Sequence, residues 1–228
     1  MKTTLSVIEF LKTQTDEVVL FYSGGKDSLI LCDILTKHFK VNLAFMYFVD
    51  GLEHVEKYVR FAEKKYNIKS NKYQHWMVSG YLNNHYYCLH TNSEGKKEVP
   101  TIKLGDIETL AKKDFGCEWI VSGMKQSDSL NRRLMLKTYF MNAINLEQKK
   151  AYPLTDWNKA MCLSYIQHHN LPIPIDYGSK TKSSGVNLEY DCLNYLKKHY
   201  PNDLQAIFKV FPFAETILLN GNPNEQIK

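Results

Sequence analysis

Apolar and polar residues are grouped along this chain in a way that names its elements. A short β-type run at 18–22 (VVLFY) stops at Ser23-Gly24-Gly25. The segment that follows is apolar nearly all round over 29–35, as a helix packed on a sheet must be. A long β-rich run at 41–49 (VNLAFMYFV) ends in Asp50-Gly51. Residues 53–66 then put Val55, Tyr58, Val59, Ala62 and Tyr66 on one face, the period of an amphipathic helix. A weaker third strand is predicted at 72–78, and a polar, aromatic excursion or lid at 79–101. Residues 106–115 read as a helix that Gly116 is placed to terminate, 119–122 as a fourth strand, 129–147 as a helix-rich patch and 151–154 as a fifth strand. Thr155 or Asp156 is suited to cap the next helix, running to His169, and Pro172 and Pro174 stop it.

Strand and helix alternate in this way for about 170 residues, the pattern of a parallel sheet covered on both faces. The fold expected is α/β and Rossmann-like, a parallel five-stranded sheet over 1–175. Residues 176–187 (DYGSKTKSSGVN) form a loop rich in Gly, Ser and Lys, and helices at 190–200 and 203–219 make a C-terminal extension packed on the same domain. The first 17 residues interleave polar and apolar positions and predict an amphipathic helix rather than a secretory signal.

Composition changes this picture little. A 44% hydrophobic and 23% charged chain is ordinary for a soluble protein, and no run approaches the ~18 apolar residues of a membrane span. The five cysteines (Cys32, Cys88, Cys117, Cys162, Cys192) are odd in number and form no C-x-x-C pair, which favours reduced thiols and a cytoplasmic location. A net charge of +5 suits an anionic substrate, but no Lys/Arg block is dense enough to demand nucleic acid.

The chemistry concentrates at Tyr22-Ser23-Gly24-Gly25-Lys26-Asp27-Ser28. Two glycines let the backbone turn tightly and approach a ligand closely. The amides they free, with those of the following helix's first turn and its dipole, form an anion cradle. Ser23 and Ser28 add hydroxyls and Lys26 a charge. Neither common phosphate loop fits. Leu20 stands where a Walker A loop needs glycine, and Asp27 where it needs Ser or Thr. The third glycine of the dinucleotide fingerprint is missing.

The motif SGGKDS resembles the PP-loop of the N-type ATP pyrophosphatases. That superfamily includes the ATP sulfurylase small subunit, phosphoadenylylsulfate (PAPS) reductases and sulfur-inserting enzymes acting on tRNA or DNA. Two later stretches carry the same resemblance. The first, Gly123-Met124-Lys125-Gln126-Ser127-Asp128-Ser129-Leu130-Asn131-Arg132-Arg133, is similar to a Gly-x-Arg/Lys-x-x-Asp/Glu-Ser-x-x-Arg segment of PAPS reductases. The second runs from Tyr152-Pro153-Leu154-Thr155-Asp156-Trp157 through Tyr165-Ile166 to HHNLPIP at 168–174, and reads as architectural.

The resemblance implies ATP cleaved between the α and β phosphates, with adenylyl transfer to an acceptor that is sulfate, a metabolite or a nucleic acid. It implies nucleotide binding by Tyr22, Ser23, Gly24, Gly25, Lys26, Asp27, Ser28, Asp50, Gly123, Lys125 and Ser129. Lys26, Asp27, Arg132 and Arg133 would be catalytic, and Mg²⁺ would be held by Asp27 or Asp50. Asp50 has two readings, a pocket residue of this superfamily and a plain turn or helix-cap aspartate. A homodimer or a partner protein is compatible with the family.

The thiol-dependent reductases of this superfamily carry their nucleophile in a C-terminal Glu-Cys-Gly-x-His segment, and the C-terminal cysteine here, Cys192, has neither Gly nor His after it. Retention of Lys26 also favours ATP over a sulfonucleotide. Two weaker candidates are a metal group at His85, Cys88 and His90, whose spacing matches no zinc motif, and a stacking surface from Tyr81, Tyr86 and Tyr87. Lys180 and Lys182 are candidates for a flap over the phosphates.

Overall fold

The computed structural model describes residues 2–84, 87–88, 91–92, 95–96, 99–173 and 186–221. The chain runs α1 (Lys2–Lys12), β1 (Glu17–Phe21), α2 (Lys26–Leu35), β2 (Lys40–Tyr47), α3 (Glu53–Tyr66), β3 (Ser70–Gln74) and α4 (Trp76–Asn83). There follow β4 (Thr91–Asn92), β5 (Gly95–Lys96), α5 (Leu104–Phe115), β6 (Ile120–Val121), α6 (Leu130–Lys137), β7 (Ile144–Asn145) and β8 (Lys150–Ala151). Helices α7 (Lys159–His168), α8 (Tyr190–His199), α9 (Pro201–Val210) and α10 (Glu215–Leu219) complete it.

Two compact units divide these elements. The first holds the described residues of Met1–Met46, Tyr58–Lys72 and Glu108–Pro174, the second those of Tyr47–Lys57, Tyr73–Ile107 and Ile175–Lys228. The C-terminal helices therefore share a unit with two earlier stretches of chain.

In the first unit the sheet order is β3-β2-β1-β6-β8-β7. β1 is central, with Val18, Val19 and Leu20 fully buried, because a strand covered on both faces must be apolar throughout. It pairs in parallel with β2 (Val19 opposite Asn42) and with β6 (Val19 opposite Ile120), and β6 pairs in parallel with β8. Strand order reverses between β1 and β6, the switch point at which open α/β sheets place ligands beyond the strand ends. Helix α2 packs on α7, and the two are pinned by Asp33, which accepts Lys37 Nζ at 2.7 Å, Tyr66 Oη at 2.8 Å and Tyr165 Oη at 2.8 Å. Those donors outweigh the burial that would raise the Asp33 carboxyl, and hold it below its ordinary range.

The expected α/β architecture holds, with local corrections. The sheet has a sixth strand, since β7 folds back antiparallel on β8 (Ile144 opposite Ala151) inside what reads as a helix-rich patch. The third strand lies at Ser70–Gln74 rather than 72–78, because His75 caps α4 by accepting the Met77 N–H and turns the apolar Trp76-Met77-Val78 into helix. Neither Thr155 nor Asp156 caps α7. Asn158 does, accepting the Met161 N–H at 3.0 Å.

In the second unit, residues of α8 and α9 close a core with Phe48, Val49, Leu52 and Val78, in which Phe48 and Phe211 stack at 5.3 Å. Asp203 of α9 caps the start of α3. Its carboxylate accepts the Glu53 N–H (3.1 Å), the His54 N–H (2.9 Å) and His54 Nδ1 (2.6 Å).

Candidate nucleotide-phosphate site

The loop after β1 is folded by its own serines. Ser28 Oγ donates to the Gly25 carbonyl at 2.9 Å and accepts the Ser23 N–H at 3.2 Å, while Ser23 Oγ accepts the Gly25 N–H at 3.3 Å. Gly24 sits at φ +71°, a conformation that disfavours any side chain. Helix α2 starts at Gly25 with no side-chain cap, as α8 and α9 do, whereas α4, α6 and α7 are capped by His75, Ser129 and Asn158. The amides of an uncapped first turn lack intrahelical acceptors and seek an external anion. Tyr22 is buried, and its hydroxyl donates to the Tyr58 carbonyl at 2.9 Å.

The turn that follows β6 lies against this loop. A Cβ on Gly123 would stand 2.8 Å from Asp27 Cβ and 3.3 Å from the Asp27 backbone carbon, so only glycine allows the approach. Two residues on, Lys125 is buried with its side chain 3% exposed; its Nζ lies 2.5 Å from Asp27 Oδ2 and 3.0 Å from Asp128 Oδ1. Burial alone would depress this ammonium, but the two carboxylates more than offset it and hold it above its usual range. Asp128 also accepts the Lys125 N–H at 2.9 Å and Arg132 Nη1 at 2.8 Å. These bonds overcome the effect of burial and keep its carboxyl low. Ser129 caps α6 by accepting the Arg132 N–H, and Arg133 is exposed, with Nε 3.4 Å from the Gln126 carbonyl.

The loop, Gly123, Lys125, Ser129, Arg132 and Arg133 thus belong to one unit and one connected network. Asp50 belongs to the other unit, exposed, beside a Gly51 at φ +80°. Lys125 differs from the two arginines in being buried between two carboxylates, whereas Arg132 shares only Asp128 and is exposed. Sequence reading passed over Asp128, although its spacing between Lys125 and Arg132 was a usable signal, and Cys162, for which there was none. Cys162 Sγ donates to Asp27 Oδ1 at 3.3 Å from helix α7. Burial, reinforced by Asp27, pushes this thiol up to about 12.

Residues 17–183 match the model of the phosphoadenosine phosphosulfate reductase domain. The chain belongs to this family. Among solved structures, it is similar to a phosphoadenylyl-sulfate (PAPS) reductase from Candida auris, in a phosphate complex. The identity is 18%, 80% of this chain and 90% of that one are covered, and the TM-score is 0.54, a likeness of fold. No curated protein matches the chain.

For a PAPS reductase family member the cysteines matter, and all five are buried and free. Cys192 is 1% exposed in the core of the second unit, where burial pushes its thiol up to about 11. The surroundings of Asp27 do not fit a magnesium site, because two ammonium groups and a thiol already engage its carboxylate. Among the described residues no three His, Cys, Asp or Glu side chains gather as metal ligands. Of the weaker candidates, His85, His90, Tyr86, Lys180 and Lys182 lie outside the described residues. No helix among the described residues is long and apolar enough to cross a membrane.

Proposed function

We propose that this protein binds ATP through the loop Ser23–Ser28 and cleaves it between the α and β phosphates, passing the adenylyl group to an acceptor. The observation that carries this reading is the uncapped start of α2, with Lys26 on its first turn and a glycine-lined backbone before it. Backbone amides there would take the β and γ phosphate oxygens, Lys26 would add a point charge, and Arg132 and Arg133 would supply planar donors. An oxygen of the acceptor attacks the α-phosphorus in line. The bond to the bridging oxygen breaks, pyrophosphate leaves with its electron pair, and the acceptor's proton passes to solvent. Positioning and electrostatics supply the rate, so no protein nucleophile is needed. Magnesium carried in on the phosphate oxygens would neutralise further charge. That the Candida auris reductase was solved as a phosphate complex suits a cradle built for such oxygens. The free thiols suit a reducing cytoplasm.

The family match equally favours a sulfonucleotide reductase. That chemistry needs an accessible thiolate, and the burial of Cys192 speaks against it. A third reading is an ATP-binding subunit that turns over only with a partner. Incubation with α-labelled ATP, Mg²⁺ and a panel of acceptors, and in parallel with a sulfonucleotide and a dithiol reductant, tests all three. AMP or an adenylated acceptor with pyrophosphate supports the first reading, and release only on adding a partner the third. Reduction of a sulfonucleotide that is lost in Cys192→Ser supports the second.

A further inference from the structure

We infer that Asp27 is the resident counter-ion of the phosphate loop rather than a metal ligand, and that Cys162 is the positioning residue that keeps its carboxylate turned inward. This rests on the loop being a phosphate site. Three cations (Lys26, Lys125, Arg132) stand against two carboxylates (Asp27, Asp128) in a connected chain. The two lysines on Asp27 are unequal. Lys125 is buried, holds Asp27 at 2.5 Å and has Asp128 as a second partner. Lys26 is five times more exposed, at 15%, and lies 3.2 Å from the same Oδ2, its only ion-pair partner among the described residues. An arriving phosphate therefore competes with Asp27 for Lys26, while Lys125 stays where it is. For that exchange to work, the freed carboxylate must not swing toward the incoming anion. Lys125 fixes Oδ2 and the Cys162 thiol fixes Oδ1, and the absent side chain of Gly123 lets the β6 turn close against the Asp27 Cβ. A protonated thiol is a suitable donor, since it adds no charge beside the loop.

The test uses inorganic pyrophosphate as probe, titrated calorimetrically in metal-free, chelated buffer. Asp27→Asn removes the competing charge and should bind pyrophosphate about fivefold tighter, the worth of one partly exposed charge. With Mg²⁺ added, the substitution should still tighten binding if Asp27 is a counter-ion and should weaken it if Asp27 holds the metal; that weakening, or equal or weaker metal-free binding by folded Asp27→Asn, overturns the inference. Cys162→Ala lets the carboxylate turn outward and should weaken binding about threefold, while Cys162→Ser keeps the donor and should restore it. In the Asp27→Asn background the alanine change should have no effect, because Cys162 acts through Asp27. The same loss in both backgrounds would mean Cys162 only packs. Should Asp27→Asn not fold, the alanine and serine variants decide: weakening by alanine and rescue by serine uphold the positioning role, and equal binding by all three proteins sinks it. A wild-type protein that binds neither pyrophosphate nor ATP overturns the phosphate reading itself, and this inference with it.

Discussion

Two carboxylates, one in each unit, are held in opposite ways. The side chain of Asp203 is 7% exposed, accepts two backbone amides and a histidine, and holds the start of α3 to α9. Asp27 is 22% exposed and accepts only side-chain donors, one of which is the loosely held Lys26. A carboxylate meant to stay is wedded to backbone N–H groups that have nowhere else to go. Asp27, under the exchange proposed above, is bound instead to side-chain groups that a ligand could take over. The difference between the two anions lies in their partners, because both residues are aspartates near the start of a helix.

The comparison breaks if either residue behaves like the other. Asp203→Ala should have the largest effect on stability, about 3–5 kcal/mol, because it strands two amides and a buried histidine. That corresponds to a fall in Tm on the order of 10 °C for a chain of this size, read by thermal unfolding. A loss under about 1 kcal/mol would show that the second unit does not depend on this cap. Lys26→Ala should invert the pattern. Stability should change by less than about 1 kcal/mol, since the pair it breaks is partly exposed. Pyrophosphate release should fall by ~10²-fold or more, as charge-stabilising groups are commonly worth. Unchanged release would remove Lys26 from the site. Gly123→Ala should sit between the two. The new Cβ meets backbone as well as side chain at Asp27, so a loss of about 1–3 kcal/mol is expected from overpacking, with weaker pyrophosphate binding because the loop is displaced.

How far the sequence foretold this depends on how local each feature is. The loop was legible because strand, glycines, lysine and helix start are contiguous, and nothing distant is needed to shape them. The succession of strands and helices along the chain followed from the alternation of apolar runs. What escaped was long-range or too short to have a period. β7 has two residues and exists through its antiparallel pairing with β8. Trp76-Met77-Val78 is an apolar run that suits strand or helix equally, and the His75 cap decides for helix. Cys162 reaches Asp27 across 135 positions of chain and Asp203 reaches His54 across 149. No spacing rule relates residues so far apart.

The smallest effect is a pH dependence that should separate the two units. Burial lowers the affinity of His54 for a proton, and although Asp203 opposes this and Lys57 adds to it, the net shift is below the ordinary 6.5. The tilted ring of Tyr200 lies 5.7 Å away and brings no charge. A histidine whose folded pKa is depressed contributes stability that is complete above the unfolded pKa and is lost as pH falls from there through the folded value. Thermal unfolding should therefore show Tm beginning to decline below about pH 6.5, with a smaller total loss than Asp203→Ala causes. His54→Gln should flatten that decline. The paired carboxylates of the first unit, Asp33 and Asp128, also sit below their ordinary value of 3.8. Their contribution is complete above that value and is lost only as pH falls below it. Acid should thus reach the Asp203 unit first and the phosphate loop later. Loss of both in one step below pH 4 would show that His54 carries no proton-linked stability.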